Sequence, residues 1–94
     1  MKRLVRTPLD ELKQKYTLDQ LKQVLWCRDD IRGLVAQDRA MGYDDADIEA
    51  RMGDYLDEVY DSYQQRAKSK YGLSEEEFEQ IYTILEGIAG RVML

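Results

Sequence analysis

Histidine is absent from this 94-residue chain, and cysteine and proline occur once each. Without histidine the chain lacks the commonest general base and the commonest metal ligand near neutral pH. The single thiol, Cys27, excludes an internal disulfide framework and the usual zinc sites. One proline and six glycines exclude a low-complexity or loop-dominated chain. No apolar run approaches the roughly 18–20 residues that span a bilayer. The basic start, Met1-Lys2-Arg3-Leu4-Val5-Arg6, has no apolar stretch of signal-peptide length behind it. The expected location is the cytoplasm, of a cell or of an infected host, with no membrane partner. Cations are the minority charge, with 14 Lys and Arg against 19 Asp and Glu, for a net charge of −5. Nucleic-acid affinity rests on Lys and Arg neutralising phosphates, so direct nucleic-acid binding is not expected.

What the sequence does have is clear helix punctuation. Thr7 before Pro8 reads as an N-cap with proline at the first helical position, and Asp10 and Glu11 suit the positive end of the helix dipole. A short helix over about Pro8–Tyr16 is predicted. Thr17 with Gln20 makes a capping box, which predicts a break or kink before a long helix from Leu18 to Met41, stopped by Gly42. Asp44 or Asp45 caps a third helix over about Ala46–Lys70, closed by Gly72. Ser74 with Glu77 opens a last helix from Glu75 to about Val92. No segment shows the period-two alternation of a strand.

At about 100° per residue the apolar side chains sort into stripes. The second helix carries Leu21, Val24, Leu25, Cys27, Ile31, Leu34 and Val35. The third carries Ile48, Met52, Tyr55, Leu56, Val59, Tyr63 and Ala67, and the last Phe78, Ile81, Ile84, Leu85, Ile88 and Val92. The expected fold is all-α: one domain over 1–94, a small antiparallel bundle of three long amphipathic helices plus a short N-terminal helix, with 1–6 as a basic arm.

Several residues break this pattern. Arg28 lies inside the apolar stripe of the second helix, where its guanidinium needs a carboxylate or several carbonyls, or else faces an anion-binding pocket. Asp38 shares that stripe and could serve as its partner. Trp26 falls off the stripe beside Gly33, Ala36 and Ala40, so either the first helix or another chain is expected to cover it. Gly87 and Gly90 line the face of the last helix opposite its stripe. They suggest a close backbone approach, and with Trp26 they are the candidate contacts of a homo-dimer. Cys27 reads as a small buried hydrophobe, with no histidine to activate it. Asp45, Asp47 and Glu49 alternate as at the start of a calcium loop, but Ala50 stands where that loop needs glycine. No metal or cofactor is expected.

Charge is segregated along the chain. Residues 1–15 hold five basic and two acidic side chains, whereas residues 43–65 hold eight acidic ones and only Arg51. On a continuous third helix Asp47, Asp54, Asp57, Glu58 and Asp61 share one face, with Tyr43 and Tyr60 nearby. Such a row is either a solvated face or a docking surface for a basic partner.

The layout also resembles the small, intertwined-dimer chorismate mutases. It has a long helix, then Asp47-Ile48-Glu49-Ala50-Arg51 opening a second, then Tyr71-Gly72-Leu73 before the last. The resemblance implies an all-helical enzyme in which Arg28, Arg39 and Arg51 would bind a dianionic substrate. Where that family carries a polar pair near its C-terminal end, this chain has Ala89 and Met93. The reading the residues favour is a non-enzymatic protein-binding module with no catalytic residues. It would be a small acidic inhibitor or an immunity or anti-defence type of protein, docking a basic, nucleic-acid-binding protein through its third helix. A homo-oligomeric structural subunit is the remaining class.

Overall fold

Capping residues set where the chain turns. Thr7 Oγ1 accepts from the Asp10 amide while Asp10 Oδ2 accepts from the Thr7 amide, both at 3.2 Å. The same reciprocal pair recurs at Thr17 and Gln20 and at Ser74 and Glu77. Each pair satisfies two amides that a helix start leaves without partners. Asp44 caps a further start through its carboxylate, which accepts from the Asp47 amide at 2.9 Å. The computed structural model describes residues 7–90, Val92 and Leu94; the basic arm 1–6, Arg91 and Met93 lie outside the described residues.

The described residues form five α-helices: α1 Pro8–Lys15, α2 Leu18–Ala40, α3 Asp45–Tyr55, α4 Asp61–Tyr71 and α5 Glu75–Glu86. A π-helical turn, Leu56–Tyr60, joins α3 directly to α4. No strand occurs among the described residues, and none of the helices is long and apolar enough to cross a membrane. The molecule is a small all-α bundle. Thr17 breaks the chain outright, since Tyr16 and Thr17 are both extended between α1 and α2. Gly72 ends α4 with φ +66, a left-handed conformation that an L side chain resists.

The core joins Leu12 of α1, Leu21, Val24, Leu25, Cys27 and Ile31 of α2, Ala67 of α4, and Phe78, Ile81 and Leu85 of α5, with Leu73 and Val92 from the connecting and terminal segments. Burying one such side chain contributes roughly 1.5–3 kcal/mol. Leu34 and Val35 are only half-buried. Their position explains this. Glu86, the last residue of α5, pairs with Arg32, so the final turns of α2 and the facing part of α3 extend beyond it. α5 packs against α1, α2 and α4 but not against α3.

Two expectations about helix extent are corrected. The last helix does not reach Val92. Gly87 caps it, and Gly90 adopts φ +81 in the segment beyond. Glycine weakens a helix by about 1 kcal/mol at each position, and the carbonyls of Ile88 and Gly90 accept hydrogen bonds from the Arg28 side chain. The third helix is not uniform either. The Asp61 amide reaches back five residues to the Leu56 carbonyl. One extra residue in a turn rotates all that follows by about 100°. That rotation turns Tyr60 inward, edge-on to Phe78 at 5.2 Å and to Tyr82 at 4.9 Å. Leu56, expected in the core, is left 42% exposed.

Candidate functional site

Arg28 is buried, with 1% of its surface exposed. Its Nη2 donates to the carbonyl oxygens of Ile88 and Gly90, each at 3.0 Å, and Nη1 donates to Asp29 Oδ1 at 3.1 Å. A guanidinium fits this task because its planar fork offers several donors at fixed angles. Arg28 therefore holds the segment after α5 against α2, and Asp38 is not its partner. Asp38 is buried farther along α2, where the Tyr55 hydroxyl donates to it and Arg51 Nε approaches to 3.3 Å. Arg51 also stacks over the Tyr43 ring at 4.7 Å, and Arg39 pairs with Asp45 at 2.7 Å. Arg28 and Asp38 are separated by about 15 Å of helix rise. The three arginines implied as a common anion site are thus engaged by separate internal partners and are not brought together.

Tyr43, offered as a contact residue, is half-buried under Arg51, and Tyr60 faces the core. Burial, reinforced by Glu79, pushes the Tyr60 hydroxyl up to about 12. Tyr63 donates to Asp30 on α2 and is also pushed to about 12, first by burial and then by that carboxylate. Cys27 is fully buried, and its thiol rises to about 12 for the same reason, aided by Asp30 and Glu86. A thiol held protonated this firmly is a poor nucleophile.

Two sets of acidic residues differ in their surroundings. Asp29, Asp38, Asp45, Glu75 and Glu86 each lie within ion-pair distance of an internal cation. Asp47, Asp54, Asp57, Glu58 and Asp61 are all exposed, and none pairs with a described lysine or arginine. They do not form one straight face. The π turn carries Asp61 about 100° round from the direction shared by Asp47 and Asp54, so the carboxylates wind as a band. Among the described residues no cluster of carboxylates and Cys27 is arranged to hold a metal ion.

Trp26 is 47% exposed, so α1, which packs on α5 and α2, leaves it largely uncovered. Gly87 and Gly90 lie at the end of α5 and beyond it, and the atoms nearest to a Cβ at Gly87 are its own helix carbonyls. Within the chain, no other element's backbone approaches either glycine among the described residues.

The chain matches no protein-family model, no curated protein and no solved structure.

Function must therefore be argued from the surface. One feature of it was not legible beforehand. A cleft of about 410 Å3 is lined by Ile31, Arg32 and Val35 of α2, Met52 and Leu56, and Tyr82 and Glu86 of α5. Leu56 and Tyr82 also line a second cleft of about 600 Å3, which continues past Tyr60 and Gln64 to Glu75, Glu76 and Glu79. The sequence does hold a clue to it. Ile48, Met52 and Tyr55 keep one phase, while Tyr60, Tyr63 and Ala67 keep another, and the five-residue step from Tyr55 to Tyr60 marks the slip.

Proposed function

We propose that this chain is a non-enzymatic protein-binding module that docks a basic protein through the carboxylates of α3, the π turn and α4. It acts as a small acidic inhibitor or an immunity type of protein. The observation that carries this reading is the absence of any internal counter-ion among the described residues for Asp47, Asp54, Asp57, Glu58 and Asp61. Arg51 is the only cation in that stretch, and Asp38 and Tyr43 engage it from within. Uncompensated charge on a rigid helix focuses potential, speeds encounter with a cationic surface and disfavours like-charged partners. A basic partner is of the chemistry that itself neutralises phosphates, which makes a nucleic-acid-binding protein the fitting class. The internal engagement of Arg28, Arg39 and Arg51 supports a binding role over an arginine-built catalytic site.

The test uses hexalysine and the isotopically labelled protein. Amide shifts on titration are expected to concentrate between residues 47 and 61 and to fade with added salt. The charge reversal Asp54→Lys with Asp57→Lys and Asp61→Lys should abolish them while helicity and melting temperature stay nearly unchanged. Shifts spread evenly over the surface, or an undiminished response in the triple variant, would refute the docking site.

A further inference from the structure

We infer that the cleft between α3 and α5 receives a basic amphipathic helix of the partner, with an apolar side chain seated beside Leu56 and its cations lying over Glu75, Glu76 and Glu79. This rests on the reading of the chain as a binder of a basic protein and names the element recognised. Three observations converge on it. α5 ends at Glu86 while α2 runs on to Ala40 and α3 lies opposite, so the α2–α3 pair lacks a third helix along the stretch beyond Arg32. Val35, Met52, Leu56 and Tyr82 line the cleft as apolar side chains left partly open, with Leu56 turned outward by the π turn, and Arg32 and Glu86 stand at its edge paired with each other. Such turns recur at functional positions in helices because they place one side chain where a regular helix would not.

The occupant follows from shape and charge. A helix laid in the groove alongside α5, from Leu56 toward Glu75, would present anchors at i, i+3, i+4 and i+7 as in other grooves of this kind. The cleft continues into three carboxylates, of which Glu76 and Glu79 pair with no described cation. A second copy docking through the same face would bring the eight acidic residues of 43–65 against another such set, so charge opposes a symmetric self-association there. A cationic helix meets no such barrier.

The test uses synthetic helices of about 18 residues, long enough to fold on docking. One carries leucine at the anchor spacing with lysine elsewhere, a second replaces leucine by serine, and a third replaces lysine by glutamate. Fluorescence anisotropy with the whole protein is expected to show binding of the lysine–leucine helix alone. Leu56→Ser should weaken it about tenfold or more, as loss of a buried anchor does. Glu76→Gln with Glu79→Gln should weaken it several-fold and flatten its salt dependence. Equal binding of the lysine–serine helix, or indifference to Leu56→Ser, would overturn the groove. If hexalysine still shifts residues 47–61 in that case, the docking reading survives without the groove; if neither probe binds, both fail. Sedimentation that shows Leu56→Ser converting a dimer to monomer would assign the cleft to a second copy and overturn the proposal.

Discussion

Replacing Arg28 tests how the end of the chain is held. The guanidinium is buried and donates to two carbonyls that no helix uses, at 3.0 Å each, while Nε lies 4.0 Å from Glu86. Hydrogen bonds from a charged donor contribute roughly 1.5–3 kcal/mol each, and burying the ion costs several kcal/mol in return. The Asp29 carboxylate is half-exposed, so its share is at most about 1 kcal/mol. Arg28→Ala removes the donors and the packing of the long stem together, and its expected cost is about 3–4 kcal/mol. Arg28→Met keeps a stem of similar length and removes the buried charge, so about 1–2 kcal/mol is expected. Arg28→Lys retains a charge but not the fork that reaches both carbonyls, and falls between the two. Urea unfolding followed by circular dichroism measures all three. A second readout separates clamping from general stability. In Arg28→Met, backbone relaxation should show residues 87–90 loosened while α5 keeps its order, because the Arg28 guanidinium bonds the Ile88 and Gly90 carbonyls of this segment to α2. Arg28→Ala costing less than about 1 kcal/mol, or residues 87–90 equally ordered in Arg28→Met, would refute the clamp.

Other perturbations test separate parts of the molecule. Gly33 lies within α2 with open space where a Cβ would stand, so Gly33→Ala should raise stability by about 0.5–1 kcal/mol in a thermal melt; a loss would mean an unseen contact. Tyr55→Phe removes the hydroxyl that donates to buried Asp38 and should cost about 1–3 kcal/mol, with Asp38→Asn in the same background costing less than it does alone. Cys27, Tyr60 and Tyr63 hold their protons to about pH 12 in the fold, against ordinary values near 9 for the thiol and 10 for the phenols. The unfolded chain therefore releases protons first. Stability should be full below about pH 9 and decline from there toward pH 12, and a urea midpoint that stays level across that range would contradict the burial of these groups. By the same logic a thiol reagent at pH 8 should modify Cys27 only on unfolding.

Local chemistry and long-range packing divide the origin of this structure between them. Thr7, Thr17 and Ser74 start helices because each is followed three residues later by a side chain that closes a capping box, a relation contained within four consecutive residues. Gly72 stops one because its conformation is left-handed, and the apolar spacing of Phe78, Ile81 and Leu85 faces the core because a helix turns by a fixed angle. These are short-range facts, and the sequence alone determines them, along with the exposure of the carboxylates between Asp47 and Asp61. Other features depend on residues distant in the chain. α5 ends at Glu86, before its apolar spacing does, where Gly87 and Gly90 weaken the helix and Arg28, some sixty positions away, donates to the Ile88 and Gly90 carbonyls. Tyr60 turns inward because Phe78 and Tyr82 offer edges to its ring, and the π turn that permits this leaves Leu56 open to solvent. The cleft beside Leu56 exists only where three helices of unequal length meet, and lengths along a bundle are compared by packing, not by periodicity.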